Sequence, residues 1–411
     1  MRGRAGSMPA VPEHSPRLAV VLAVTVVTLA LGWVVKAPCL GSWADGRQYT
    51  RLCYSDVAVL YASDDRDRGL DERRVPYVDG QNEYPVLTGL TMWVAALPST
   101  TYAAFFVWTS MLLTGAALAT SAMLHALAGR RALLFAAAPT LAIYAFVNWD
   151  LVAVALATAA TFAYLRDRDT TAGVLLGLGA AAKLYPALLV IPFALGRLRQ
   201  DRRPEARRLV LWSAGTWVAM NLPFALLGFE RWSEFFRFNS QRPADWDSLW
   251  FMMARRHDGL GIEYSGFTWN IPLLNVLTAV TFVALATWLW VARSRRQPGF
   301  PAWTFGFPLI VAFLLTGKVY SPQYGLWLLP WFALALPNPG LFVSFAIADV
   351  AVFVTRFQFF ARFDEVGTGL PFWMFEVAIL ARAAILVACL VAWVRRGVPK
   401  TEASRAALEA A

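Results

Sequence analysis

The chain has 411 residues, of which 58% are hydrophobic and only 16% charged. A water-soluble domain of that length has no interior large enough for so much apolar side chain, so the solvent of most of the sequence is a bilayer. The formal charge of +10 comes largely from arginines clustered in short loops between apolar runs, which is the pattern of topology signals and sets nucleic acid aside as a partner.

The N-terminus "MRGRAGSMPAVPEHSPR" (1–17) reads as a cytoplasmic tail, followed by the apolar run "LAVVLAVTVVTLALGWVV" (18–35). At 1.5 Å per residue the run extends about 27 Å. No small-x-small cleavage site closes it, so it reads as a first span rather than a signal peptide. A long loop follows, about 36–100, carrying Cys39 and Cys53. In an oxidising compartment this pair could be bridged, but spacing alone leaves disulfide and free thiols equally open.

Within that loop, "RLCYSDVAVLY" (51–61) puts Asp56 at the head of a short amphipathic stretch. Tyr54, Val57, Ala58 and Tyr61 share one face, as an interfacial helix requires. Asp56 then either complements the helix N-terminus or serves as a general base. The acids of "ASDDRDRGLDE" (62–72) differ, alternating with arginines as a solvated surface does. "EYPVLTGLTMWVAALP" (83–98) is apolar but too short to cross, and is expected in the interface.

Further apolar runs fall near 101–127, 132–147, 150–165, 171–183, 185–196, 209–228, 271–292, 301–317, 324–336, 339–355 and 372–394. The short loops "GRR" (129–131), "RDRD" (166–169), "GRLRQDRRPEARR" (196–208) and "ARSRRQ" (292–297) carry thirteen arginines, whereas "NWD", "KLYP" and "KVYSPQY" carry only Lys183 and Lys318. The positive-inside rule then places both termini and the arginine loops in the cytoplasm. About twelve spans satisfy every loop, in one transmembrane domain over 18–394 with long outer loops at 36–100 and 229–270 and a cytoplasmic tail at 395–411. Residues 171–196 read as two short helices meeting at "KLYP", since broken backbone at membrane depth lines a cavity or is buried in protein.

The ionisable groups within the runs or at their mouths are Asp56, Glu83, Asp150, Lys183, Lys318, Asp349, Glu376 and Arg382. They gather in the outer half or near the midplane, and the inner third holds only His125. Intramembrane charges are costly and mark function. Each also has a structural reading. Asp349 and Arg382 can neutralise each other, the two lysines can snorkel, Asp150 can cap a helix, and Glu83 can be an ordinary loop acid. His14, His125 and His257 are scattered, with no metal-ligand spacing.

Several stretches together resemble a known family. "YSDVAVLY" after a first span is similar to the GT-C architecture of polyprenyl-phosphate-sugar-dependent glycosyltransferases. "NEYP" (82–85), "NWD" (148–150), "GLGAAAKLYPALL" (177–189) and "KVYSPQYGLWLLP" (318–330) resemble glycosyltransferase family 87 more narrowly. That resemblance implies an all-α polytopic membrane enzyme of the plasma membrane with an extracytoplasmic site. It implies inverting transfer of a sugar, in the best-known members mannose, from a polyprenyl-phosphate donor to a lipid or glycan acceptor. Asp56 matches the general base. Lys183 and Lys318, with Arg382, match the groups that would hold the lipid phosphate. Tyr84, Tyr185 and Tyr320, with Glu83, Asn148, Asp150 and Gln323, match the substrate-binding positions. No cofactor is implied, because the lipid-linked sugar is a substrate, and the lone acid of "YSD" offers no carboxylate pair for a metal. The chain departs from the family where mannosyltransferases often carry a histidine after "SP" and this sequence has "QYGLW", which opens the sugar to other hexoses. The competing class is a secondary transporter or lipid-linked-sugar translocase with twelve spans. Such proteins usually show paired halves, and no internal repeat is evident here.

Overall fold

A computed structural model describes residues 16–41, 45–61, 69–258, 261–264 and 270–396. The expected terminal tails, apart from their inner edges, and most of the Asp–Arg alternation of 62–72 lie outside the described residues.

All twelve apolar runs are helical, but they divide into two classes. Among the described residues six helices are long and apolar enough to cross a membrane: Leu18–Lys36, Tyr102–Ala128, Arg203–Leu227, Ile271–Arg296, Pro339–Phe363 and Phe372–Arg395, the first two extended by adjoining turns. The other six runs are short or broken. They include Pro139–Tyr144, Asp150–Tyr164, Asp169–Ala182, Val190–Arg199, Gly306–Thr316 and Leu329–Leu334. Of the about twelve expected spans, several of them expected to be short, six are long helices and the others short or broken runs among the described residues. Prolines and glycines set the breaks by removing donors or permitting sharp turns.

The helix starts are written in the sequence. Asn270 and Asn338 each precede a helix with proline in its first turn, and their side chains accept from Leu273 N and Leu341 N, both at 3.1 Å. Such caps satisfy N–H groups that the helix cannot. Thr101 caps Tyr102–Ala128 in the same way, accepting from Ala104 N at 3.2 Å.

Close approach is set by glycine. A Cβ at Gly173 would lie 2.6 Å from Leu209 O, and one at Gly177 2.5 Å from Ser213 O. The Asp169–Ala182 helix therefore presses its small-residue face directly onto Arg203–Leu227, a packing mode typical of helices in lipid. Asp169–Ala182 also packs on Asp150–Tyr164, and the last two long helices pack on each other. The apolar segment of the first loop forms the 11-residue helix Val86–Ala96, seated against Tyr102–Ala128 and Asp169–Ala182. In the second long loop an antiparallel hairpin pairs Arg255–Asp258 with Gly261–Tyr264.

The two ends of the bundle differ in chemistry. At one end His125 Nε2 meets Pro16 O at 2.9 Å, and Arg197 binds Asp169 at 2.7 Å. At this end also, Arg293 Nη1 donates to Trp393 O at 2.9 Å, and Arg199 Nη2 to Ser294 Oγ at 3.1 Å. The inner edges of both terminal tails and the arginine loops thus share one end. The opposite end, where the long loops lie, holds the cavity described next.

Candidate active site

Asp56 opens the helix Asp56–Tyr61. Its predecessor fixes its place: Ser55 Oγ donates to Phe146 O at 2.7 Å and accepts from Val57 N at 3.2 Å, while Asp56 N donates to Val147 O at 2.8 Å. Pinning 55–56 to 146–147 brings the next residue, Asn148, against the carboxylate. Asn148 Nδ2 donates to Asp56 Oδ2 at 2.7 Å and to Tyr84 Oη at 2.8 Å, and Tyr54 Oη donates to Asp56 Oδ1 at 2.8 Å. The charge on Asp56, with burial, holds the Tyr54 phenol well above its usual range, so it stays a donor.

Three supports stand behind this constellation. Cys39 and Cys53 form a disulfide, with Cα atoms 5.6 Å apart, closing the loop three residues before Asp56. Lys36 Nζ donates to Tyr54 O at 2.8 Å, and the Tyr54 ring stacks on Phe357 with centroids 4.8 Å apart. The "NEYP" turn is held by buried Tyr77, whose hydroxyl meets Tyr84 O and Pro85 O at 2.7 and 2.9 Å. Tyr77 has φ +68°, and a Cβ on Gly89 would lie 2.2 Å from its hydroxyl, so only glycine fits there.

Facing Asp56 is Lys183, in extended backbone (φ −154°, ψ 143°) where the Asp169–Ala182 helix ends. Its Nζ lies 3.3 Å from Asp150 Oδ2, whose other oxygen accepts from Trp327 Nε1 at 2.7 Å. It also stands 5.3 Å from the ring centres of both Tyr84 and Tyr324, a cation between two π faces. A third wall carries Arg242 and Arg356. Arg242 pairs with Asp245 at 3.2 Å, and Arg356 pairs with Asp247 and, at 3.8 Å, with Asp245. Burial pushes Asp247 up to about 6 against the pull of Arg356 and Arg382.

These walls enclose a cavity of about 370 Å³, within the usual size of small-ligand sites. Asp56, Glu83, Tyr84, Asn148, Lys183 and Gln323 line it. The remaining expected residues do not. Asp150 is fully buried behind Lys183, and Tyr185 lies beneath it, stacked on Trp327 at 4.3 Å. Lys318 is drawn away by carbonyls at the end of the Phe229–Gln241 helix, donating to Arg242 O at 2.7 Å. Burial, with Arg242 nearby, lowers Lys318 to about 8. Arg382 is sealed in the core, 3.1 Å from Asp349 and with its guanidinium carbon 3.7 Å from the Tyr320 ring centre, which keeps both Arg382 and Tyr320 from the cavity.

Among the lining residues that escaped the sequence reading are Tyr54, taken only as part of an apolar face, and Arg242, Tyr324 and Arg356. A signal existed for one of them: Arg356 follows Asp349 by seven positions, two turns along one helix face.

The family model described as glycosyltransferase family 87 matches residues 83–322, more than half of the chain and a stretch that includes most of the cavity wall. The chain belongs to glycosyltransferase family 87. This family 87 member is also similar to a solved structure, ArnT from Cupriavidus metallidurans bound to undecaprenyl phosphate, at 13% identity and a TM-score of 0.45, covering 92% of this chain and 77% of that one. No curated protein matches it. As a family 87 protein it is a membrane glycosyltransferase, and its cavity offers that chemistry a carboxylate opposite a cation.

Proposed function

We propose that this family 87 protein transfers a sugar, most simply mannose, from a polyprenyl-phosphate donor to a hydroxyl of a lipid or glycan acceptor, with inversion. The observation that carries the reading is the Asp56 carboxylate, gripped on both oxygens by Tyr54 and Asn148 and set across one cavity from Lys183. A base held this way keeps its remaining lone pairs aimed at the space a substrate would occupy.

In this reading Asp56 takes the proton of the acceptor hydroxyl as its oxygen attacks the anomeric carbon. The bond from that carbon to the phosphate oxygen breaks on the opposite side. Lys183, with Arg242 and Arg356 in place of Lys318 and Arg382, offsets the charge on the departing polyprenyl phosphate. Tyr84, Glu83 and Gln323 contact the sugar. No cofactor enters the scheme.

The arginine loops at the end opposite the cavity support a cytoplasmic placement of that end and both termini, hence an extracytoplasmic site in the plasma membrane. Twelve crossings remain our reading of the six long and six broken runs, in a GT-C-type arrangement. The test is reconstitution of the purified protein in liposomes with labelled polyprenyl-phosphate mannose and a membrane glycolipid extract. The expected result is label on a lipid or glycan product of inverted anomeric configuration. No transfer from any polyprenyl-phosphate hexose would refute the proposal.

A further inference from the structure

The arginines at the end opposite the cavity fall into two kinds. Most are committed. Arg197 binds Asp169, Arg202 binds Asp167, Arg293 caps the carbonyls that end the last helix, and Arg199 stacks 4.2 Å from the Trp290 ring centre. Arg203, Arg207 and Arg208 are exposed and make no carboxylate contact within 4.0 Å among the described residues; neighbouring Glu205 is turned to Arg202 at 3.5 Å.

These three share one face of the Arg203–Leu227 helix in two adjacent rows at a spacing of four. One row is Arg203, Arg207, Leu211, and the other is Pro204, Arg208, Trp212. Together the six line an open groove of about 500 Å³. Leu211 and Trp212 are 56% and 50% exposed. Over about 12 Å of helix the groove therefore passes from guanidinium to apolar side chain with a tryptophan at the boundary. A phospholipid offers its phosphate and acyl chains in the same order, and arginine forks match phosphate oxygens. A free phosphate would use the cationic half alone.

We propose that this groove binds the headgroup phosphate of an anionic phospholipid in the leaflet on the arginine side, with Leu211 and Trp212 against its upper acyl chain. A topology signal needs only positive charge in the loop. The alignment of three uncommitted arginines above two exposed apolar side chains is what goes beyond it.

The test is native mass spectrometry of the purified full-length protein titrated with phosphatidylglycerol or phosphatidylcholine. The wild type is expected to retain phosphatidylglycerol at least tenfold better. Arg203→Gln with Arg207→Gln should erase that preference. Arg130→Gln with Arg131→Gln, removing two exposed arginines at the same end, should leave it intact, and glycerol phosphate should not compete. Equal loss in both double variants means diffuse charge attraction and overturns the proposal, as does competition by glycerol phosphate. As a check independent of variants, phosphatidylglycerol carrying a photoreactive headgroup should label the 203–212 segment of the wild type. Labelling confined to other segments contradicts the proposal.

Discussion

The pairs Lys183–Asp150 and Arg382–Asp349 look alike in the sequence: each sets a cation 33 positions from an acid within apolar helices. In the structure they differ. The Lys183 side chain keeps 13% of its surface open on the cavity, between two tyrosine rings, and Asp150 is anchored by Trp327. Arg382 and Asp349 are 1% and 0% exposed, with Tyr320 closing one side and Asp247 O accepting from Arg382 at 3.4 Å. A charge that is sealed can only hold helices together, whereas a charge that borders a cavity can also meet a ligand. Intramembrane charge alone therefore over-predicts sites, and access decides among them.

The sharpest way to break this contrast is Arg382→Met. It strands Asp349 in the core and should cost about 3–5 kcal/mol, read as a lowered melting temperature in detergent. Adding Asp349→Leu should restore most of the loss, because two matched apolar groups replace two charges. A single variant as stable as the wild type would mean that the pair is not sealed. Replacing Cys39 and Cys53 by serine should cost about 3 kcal/mol, and reductant should lower the melting temperature of the wild type but not of the variant. Lys183→Met should cost less stability than Arg382→Met, since Asp150 keeps its Trp327 bond beside a cavity open to water. It should weaken donor binding roughly 10–100-fold, the worth of a charge-assisted hydrogen bond of about 1.5–3 kcal/mol. An Arg382-like collapse would erase the distinction.

The smallest effect concerns pH. Asp247 has a folded-state value of about 6 against 3.8 for a free carboxyl. Its contribution is therefore fully present below pH 3.8 and is lost as pH rises through about 6. Asp247→Asn should flatten the stability profile between pH 4 and 6, measured by thermal unfolding. A profile as steep as that of the wild type would assign the slope to other groups.

Much of the fold was legible. Apolar periodicity placed all twelve helical runs, and the break at "KLYP" appears where the helix stops at Ala182 and resumes at Tyr185. Span length was less legible, because hydropathy cannot separate a long helix from short pieces such as Pro139–Tyr144. At the site, the residues close in depth to the loop end were found: Asp56, Glu83, Tyr84, Asn148, Lys183 and Gln323 all reach one cavity. Lys318 is held by the Arg242 carbonyl and Arg382 by Asp349 and the Tyr320 ring, pairings that one sequence does not encode. Arg356 was overlooked because it lies just past an apolar run, where arginine reads as a boundary marker, and Arg242 because it lies inside the long loop 229–270, where no apolar run places it.

The proposed transfer depends on Asp56 as its base. The most direct measurement compares Asp56→Asn with wild type in the same liposomes, following label transfer and donor binding together. Removal of a general base predicts transfer lower by about 10²–10⁴-fold, with donor affinity and melting temperature near wild type. Transfer at the wild-type rate by the asparagine variant would contradict the account.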